Sequence, residues 1–338
     1  MMRGVRPIVA AVVVCAGCDS GRETTLVVRT TLPAELRSVV EESFEARHPD
    51  VDLRFSDGEA RASLQELEAD GGPPFDVWWG ATGEVLDRAG ASGHLDGYEP
   101  RWPERSREPA PDDLWHVTLV TPFVIAFNRE ELTLTRAPRD WVDTFHHRWA
   151  EEIWALDPSQ SEEGAVFVGS MLVEALRDDD DLNRGFDWLD RLDTQVERYA
   201  SNSSDIVHAL QQREALLGIL PRATAEEARA SGDEWLYYRL PESGTPTLEL
   251  GVAIMRGTPA RDAAARFVDH LGETGVATEA KRLTRWEPVS GAVDRDALPR
   301  DFEVAQSWAG FPIATDTLRA ELEGWVSRWN LEVRGVGK

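Results

Sequence analysis

Short apolar runs alternate with amphipathic segments after the first 25 residues of the chain, a pattern typical of α/β layers. The apolar run 26–29 predicts a first strand, and apolar positions spaced three and four apart after Pro33 predict a helix. Further strands are predicted at 51–55 and 75–79, with a second helix around Leu64 between them. This order predicts a βαβαβ unit in the first part of the chain.

The rest of the chain continues the same alternation. Residues 115–127 form a long β-type run, which we interpret as a crossover between two α/β units. Other strands are predicted at 153–156, 216–220, 236–240 and 248–255, with amphipathic helices between them. A second α/β unit is therefore expected in the middle of the chain, and the C-terminal segment is expected to be helical.

The start of the chain has the order of an export signal. Two arginines precede an apolar run at 8–14, and small residues follow it. The run is too short to span a bilayer, which needs about 20 residues, so a signal peptide is favoured over a membrane anchor. The sequence Cys15-Ala-Gly-Cys18 resembles a bacterial lipobox, which implies a lipoprotein signal peptide over 1–17, a lipid on Cys18 and a short tether over 18–25.

Composition limits the partners that this chain can have. The net charge of −25 at pH 7 argues against nucleic acid and against an anionic membrane surface, because both repel a strongly negative body. Cys15 and Cys18 are the only cysteines, so the mature fold is expected to form without a disulfide. Without residues 1–17, the chain is still long enough for two domains of about 150 residues each.

Sequence motifs of common enzyme classes are missing from this chain. It has no Gly-x-Ser-x-Gly elbow, no His-Glu-x-x-His, no phosphate-binding Gly-x-x-x-x-Gly-Lys and no Gly-x-Gly-x-x-Gly after a strand. His146-His147 is the only histidine pair, and a surface turn is favoured over a metal site because adjacent side chains usually point apart. We therefore expect a protein that is not an enzyme and holds no cofactor or resident metal.

Hydroxyl side chains stand where predicted strands end and helices begin. They are Thr30 and Thr31 after the first strand, Thr82 after the third, and Ser159, Ser161, Ser203 and Ser204 in the middle of the chain. Helix starts offer unpaired backbone N–H groups and a positive dipole end, and ligands of open α/β sheets bind at the carboxyl ends of strands. Ordinary N-capping explains any one of these hydroxyls alone, but the set in both halves predicts a crevice for an anion or an oxygen-rich ligand.

An ordered set of sequence phrases resembles the family 1 extracellular solute-binding proteins, in the branch of iron(III)-binding and related components of ABC transporters. The phrases are LVVRTTLP at 26–33, DVWWG at 76–80, residues 122–128, Asp157-Pro158, and GVAI at 251–254 with Gly257 and Pro259. The resemblance runs over 26–271, and the order of the phrases carries it. It implies an α/β periplasmic binding protein fold of type II, with two lobes that are each a mixed sheet flanked by helices and are joined by two crossover strands.

The resemblance also implies how the chain is divided and what it does. Lobe 1 would span 26–121 and be completed by 252–338, which includes the C-terminal helices, and lobe 2 would span 122–251. The crossovers would lie near 118–127 and 245–253. A monomer, lipid-anchored on the periplasmic side of the cell membrane, would capture a small-molecule ligand between the lobes and deliver it to an ABC permease. The alternatives are an exported enzyme or a non-transport lipoprotein on the same fold.

The class of ligand has several candidates. Iron-binding members hold Fe(III) with two adjacent tyrosines, but the strand that would deliver them, 216–222, has none, and strand alternation puts Tyr237 and Tyr238 of the next strand on opposite faces. We expect an oxyanion-bearing molecule, such as a sugar phosphate or phosphonate, with Arg222 gripping the oxyanion. Glu249 is expected to accept hydrogen bonds from ligand hydroxyls or an amine. Ferric iron or an iron chelate is the alternative ligand, and a neutral sugar is also open.

Overall fold

The structure is a computed structural model that describes residues 24–69, 74–102, 111–179, 181–299, 302, 308–311 and 315–335. The expected signal peptide at 1–17, the lipidation site Cys18 and the tether as far as residue 23 lie outside the described residues. Among the residues that are described, no helix has both the length and the apolar character needed to cross a membrane.

Strands and helices alternate along most of the chain. The strands are β1 (Thr24–Thr30), β2 (Val51–Asp57), β3 (Val77–Thr82), β4 (Leu95–Asp96), β5 (Trp115–Asn128), β6 (Ile153–Leu156), β7 (Val196–Ala200), β8 (Leu217–Pro221), β9 (Leu236–Arg239), β10 (Thr247–Met255) and β11 (Glu287–Pro288). The α-helices are α1 (Ala34–Arg47), α2 (Ala60–Ala69), α3 (Gly83–Ala91), α4 (Glu162–Asp179), α5 (Leu182–Asp193), α6 (Ser203–Gln212), α7 (Arg222–Ala230), α8 (Arg261–His270), α9 (Thr274–Thr284) and α10 (Thr315–Arg328).

The strands lie side by side in the order β2-β1-β3-β10-β5-β8-β6-β7. In lobe 1, β1 is parallel to β2 and β3, and β10 runs antiparallel to β3. In lobe 2, β6 is parallel to β7 and β8. Helices α1–α3, α8 and α9 belong to lobe 1, and α4–α7 belong to lobe 2, so each lobe is a mixed sheet flanked by helices. Each lobe has its own buried apolar core.

The long strand β5 joins the two lobes. Its first part, 115–122, pairs with β10 in lobe 1, and its second part, 123–128, pairs with β8 and β9 in lobe 2. The chain returns to lobe 1 just before β10, where Thr245 Oγ1 donates a hydrogen bond to the Phe123 carbonyl oxygen at 2.7 Å. These crossings fall inside the predicted ranges, and the prediction of a two-lobed type II periplasmic binding protein fold is confirmed.

The C-terminal helix α10 packs against lobe 2. The buried side chains Leu318, Leu322, Trp325 and Trp329 belong to the same apolar core as α4 and α5. A Cβ atom on Gly169 of α4 would collide with Leu318, so the close approach of the two helices depends on glycine. The division that grouped the C-terminal helices with the completion of lobe 1 at 252–338 is corrected accordingly, because the apolar face of α10 is buried by lobe 2.

Candidate functional site

A cavity of about 520 Å³ lies between the two lobes. Thr31, Thr82 and Trp286 border it from lobe 1, Ser161, Ser203 and Ser204 border it from lobe 2, and Leu248 and Leu250 of β10 border it between them. Pockets for small molecules measure roughly 300–1,000 Å³. The cavity, which we call the cleft, is therefore of a size to hold one small molecule against both lobes.

Six of the described helices begin at the cleft. The residues that mark their starts along its walls are Pro33 for α1, Ala60 for α2, Thr82 for α3, Ser161 for α4, Ser203 for α6 and Thr224 for α7. The carboxyl end of β3 reaches the same place, since Gly80 and Thr82 also border the cleft. The structure thus brings strand ends and helix starts of both lobes together, as the spacing of hydroxyl residues predicts.

The hydroxyl residues of lobe 1 differ in how they meet the cleft. Thr31 is exposed on its wall, whereas Thr30 is buried and its Oγ1 accepts a hydrogen bond from the Leu32 backbone N–H at 3.1 Å, so Thr30 shapes the turn. Gly80 has a φ of +90°, and a Cβ atom there would lie 3.0 Å from Leu32 Cγ, so glycine fits the tight end of β3. Thr82 Oγ1 donates to Glu162 Oε2 of lobe 2 at 3.2 Å.

Three of the four predicted serines border the cleft. Ser161 Oγ accepts a hydrogen bond from the Gly164 backbone N–H at 3.2 Å and caps α4. The Ser203 hydroxyl donates to the carboxylate of Glu163. Ser204 is exposed on the wall of the cleft. Ser159 does not border the cleft, because its hydroxyl donates to Asp157 Oδ1 at 2.5 Å and holds the turn before α4.

Arg222 lies at the hinge between the lobes and not on the wall of the cleft. Its side chain is only 2% exposed, and Nη2 is 2.6 Å from Glu287 Oε1 of lobe 1. Lys281 Nζ lies at 2.6 Å from the same oxygen. Thr224 of the same helix borders the cleft, whereas Arg222 points towards β11. The expected grip of Arg222 on an oxyanion is therefore replaced by a buried ion pair that joins the lobes.

Glu249 is also turned away from the cleft. It is buried within β10, between Leu248 and Leu250, which both border the cleft. Because successive side chains of a strand point to opposite faces, Glu249 faces the other side of the sheet. Its expected hydrogen bonds to a ligand do not fit this placement.

The cleft is also bordered by residues that the sequence pattern does not predict. Among them are Glu59, Glu162, Glu163, Glu227, Thr224 and the half-buried Trp286. Burial raises the pKa of Glu163, the hydrogen bond from Ser203 opposes this effect, and the charge of Glu162 adds to it. The signal for Glu162 and Glu163 in the sequence is their position directly after Ser161, in the first turn of a helix, where acidic residues are common.

The adjacent tyrosines border a different cavity, of about 320 Å³. Arg129 Nη1 donates to the Tyr237 hydroxyl at 3.2 Å, and the Tyr238 hydroxyl donates to Glu226 Oε1 at 2.8 Å. Within the part of the chain that the structure describes, no group of three or more His, Cys, Asp or Glu side chains is arranged to hold a metal ion. Tyr237 and Tyr238 therefore do not border the cleft, and an iron ion or chelate bound there would need other ligands.

Solved structures with a similar fold include two periplasmic binding proteins. One is AfuA from Actinobacillus pleuropneumoniae with fructose-6-phosphate bound, which has a TM-score of 0.73 and 20% identity and covers 92% of this chain and 99% of that one. The other is the ferric binding protein from Campylobacter jejuni, which has a TM-score of 0.77 and 14% identity and covers 90% of this chain and 98% of that one. These likenesses show the fold.

A family model identifies the family of this chain, and one sequence relative agrees with it. The chain is 25% identical over 344 residues to the probable ABC transporter periplasmic-binding protein y4fP from Sinorhizobium fredii, and the match covers 96% of this chain and 90% of that protein. The model of the family described as bacterial extracellular solute-binding protein matches residues 28–278, which is most of the chain. This chain therefore belongs to the bacterial extracellular solute-binding proteins.

Proposed function

We propose that this protein captures a small, hydroxyl-rich organic solute between its lobes and delivers it to an ABC permease, acting by binding and not by catalysis. The observation that carries the proposal is the cleft, because hydroxyl groups of both lobes face a single cavity of about 520 Å³. Two lobes joined at crossover strands can close around a ligand by a hinge motion. The name of y4fP as a periplasmic-binding protein of an ABC transporter supports the transport role.

An organic solute suits the cleft better than a bare metal ion. The hydroxyl and carboxylate groups of the cleft are spread over both of its walls, so they can bind several groups of one solute. Trp286 adds an aromatic surface on which a ring can pack. The expected oxyanion could bind at the helix starts. No lysine, arginine or histidine is among the described residues that border the cleft to pair with its charge.

Hydroxyl groups of both lobes are expected to contribute to affinity. Thr31→Ala in lobe 1 and Ser204→Ala in lobe 2 are each expected to weaken binding by about 1 kcal/mol, because each removes one hydrogen bond. A thermal-shift screen of the mature protein against neutral sugars, amino sugars, sugar phosphates and ferric citrate identifies a solute, since binding at one hundred times Kd stabilises by about 2.7 kcal/mol. Titration calorimetry then measures the affinity of each variant for that solute.

Ser231→Ala is the matched control, since Ser231 is an exposed serine of lobe 2 that does not border the cleft. Small-angle X-ray scattering measures whether the lobes close on the same solute. Unchanged affinity in both cleft variants, or a radius of gyration that no solute in the screen reduces, would contradict the proposed function.

We also propose that residues 1–17 are removed and that a lipid on Cys18 holds the protein on the periplasmic side of the cell membrane, as a monomer beside its permease. The support for this anchor is the sequence Cys15-Ala-Gly-Cys18. Cys18→Ser is expected to move the protein from the membrane fraction to the soluble fraction, measured by cell fractionation and immunoblotting. Cys15→Leu is the control and stays in the membrane fraction. If the Cys18→Ser protein stays in the membrane fraction, the proposed lipid anchor on Cys18 is wrong.

A further inference from the structure

The described side chains that border the cleft carry charge of one sign. Glu59 lies on the wall of lobe 1, and Glu162, Glu163 and Glu227 lie on the wall of lobe 2, without any basic residue among the described residues around them on the walls. Arg61 Nε lies 3.8 Å from Glu162 Oε1, so Arg61 offsets part of the charge of Glu162. The effect is only partial, because the Arg61 side chain is 41% exposed and water screens its charge. The walls that would close on a solute are thus both negative.

The starts of α2, α4, α6 and α7 each have one acceptor from the protein itself. The hydrogen bonds run from Arg61 N to Glu162 Oε1, from Gly164 N to Ser161 Oγ, from Asp205 N to Asn202 Oδ1 and from Ala223 N to Thr121 Oγ1, at 2.9 to 3.2 Å. Helices α1 and α3 have no side-chain cap, and Pro33 before α1 has no backbone N–H to offer. At the other four helix starts an anionic ligand would have to displace an acceptor, and throughout it would lie in a cleft bordered by four carboxylates.

We propose that the solute carries a positive charge, as a small amine with several hydroxyl groups or an amino sugar does; this inference rests on the proposed function. Glu59 and Glu227 are the residues assigned to its ammonium group, because both are exposed on the walls and neither forms an ion pair with another described side chain. An ammonium group between them makes charge-assisted hydrogen bonds. Thr31 and Ser204 then bind its hydroxyl groups.

Closure of the lobes gives this charge its role in selectivity. Glu59 approaches the glutamates of lobe 2 when the cleft closes, so like charges come together unless the ligand offsets them. A cation is attracted by both walls, whereas an anion adds to the repulsion, which excludes it from the closed state. On the wall of lobe 2, burial raises the pKa of Glu163, and the charge of Glu162 adds to this effect.

A matched set of compounds tests the charge of the ligand. Glucose, galactose and mannose are each compared with the corresponding 2-amino sugar and 6-phosphate by titration calorimetry against the mature protein. The amino form of at least one sugar is expected to bind about tenfold or more tightly than its neutral and phosphorylated counterparts. Glu59→Gln and Glu227→Gln are each expected to reduce the affinity for that amino sugar by about tenfold, since each removes one charge-assisted hydrogen bond.

Glu197→Gln is the control, because Glu197 is exposed on β7 of lobe 2 and does not border the cleft. If a neutral or phosphorylated sugar binds more tightly than its amino form, the inference of a positively charged solute is wrong. The proposed function of solute capture would not be affected by that result. Binding of an amino sugar that neither glutamine variant weakens would overturn the inference as well. If none of the nine compounds binds, the inference fails, and the scattering measurement across the wider screen decides the proposed function separately.

Discussion

Arg222→Ala is expected to lower the free energy of unfolding by about 3 kcal/mol, the lower end of the range for breaking a buried ion pair. The Arg222 guanidinium is 2% exposed and lies 2.6 Å from Glu287 and 3.3 Å from Glu226. Its removal leaves two carboxylates with Lys281 as their remaining basic partner in this network. Because Lys281 still pairs with Glu287, we do not expect the upper end of the range. Urea denaturation measures the change.

Arg54→Ala is the matched control for this prediction. Arg54 Nε lies 2.7 Å from Asp52 Oδ2, but the Arg54 side chain is 67% exposed. Exposed ion pairs contribute less than about 1 kcal/mol, because water and salt screen them. A loss at Arg222 as small as the loss at Arg54 would show that the hinge network adds little to stability. A larger loss would support a structural role for Arg222, distinct from ligand binding.

The lobes and their crossovers could be predicted because their signals are local. All 14 residues of β5 are buried, since one half of the strand lies inside each lobe. A strand covered on both faces gives a run rich in apolar and β-branched residues, with few charges. The predicted run 115–127 is therefore close to the observed strand. The end of β3 was harder to predict, because a glycine after an apolar run is typical of a strand end. In the structure Gly80 has a positive φ but stays within β3, and pairing with β10 continues to Thr82.

The cleft could be predicted only in part, because two kinds of information are needed. Hydroxyl residues after strand ends are visible in the sequence, and Thr31, Thr82, Ser161, Ser203 and Ser204 do border the cleft. The direction of a side chain is less visible. Arg222 stands at a strand end as predicted, but its partner Glu287 is 65 residues away, and no local pattern shows this pairing.

The acidic character of the cleft has no local signal either. Glu162 and Glu163 have the ordinary place of acidic residues in a first helical turn. Glu59, just before α2, and Glu227 in α7 look like ordinary surface residues. Only the approach of the two lobes puts these four carboxylates around one cavity. The net charge of −25 belongs to the whole chain, so it does not indicate which acidic residues lie near the ligand.

Trp329→Ala is expected to lower the free energy of unfolding by about 3–5 kcal/mol, since it removes a large buried ring and leaves a cavity. Trp329 follows α10, is 1% exposed and packs edge-on against Tyr199 of β7, with 5.0 Å between the ring centroids. Urea denaturation measures the change.

The control for Trp329→Ala is Leu331→Ala, two residues further along, where the side chain is 65% exposed and substitution is expected to change stability by at most about 0.5 kcal/mol. The comparison separates burial in lobe 2 from any general effect of altering the C-terminal segment. Equal and small effects of the two substitutions would mean that the segment after α10 does not contribute to the core of lobe 2. A large effect of Trp329→Ala alone means that the C-terminal segment completes lobe 2, although β10, β11, α8 and α9, which precede it in the chain, belong to lobe 1.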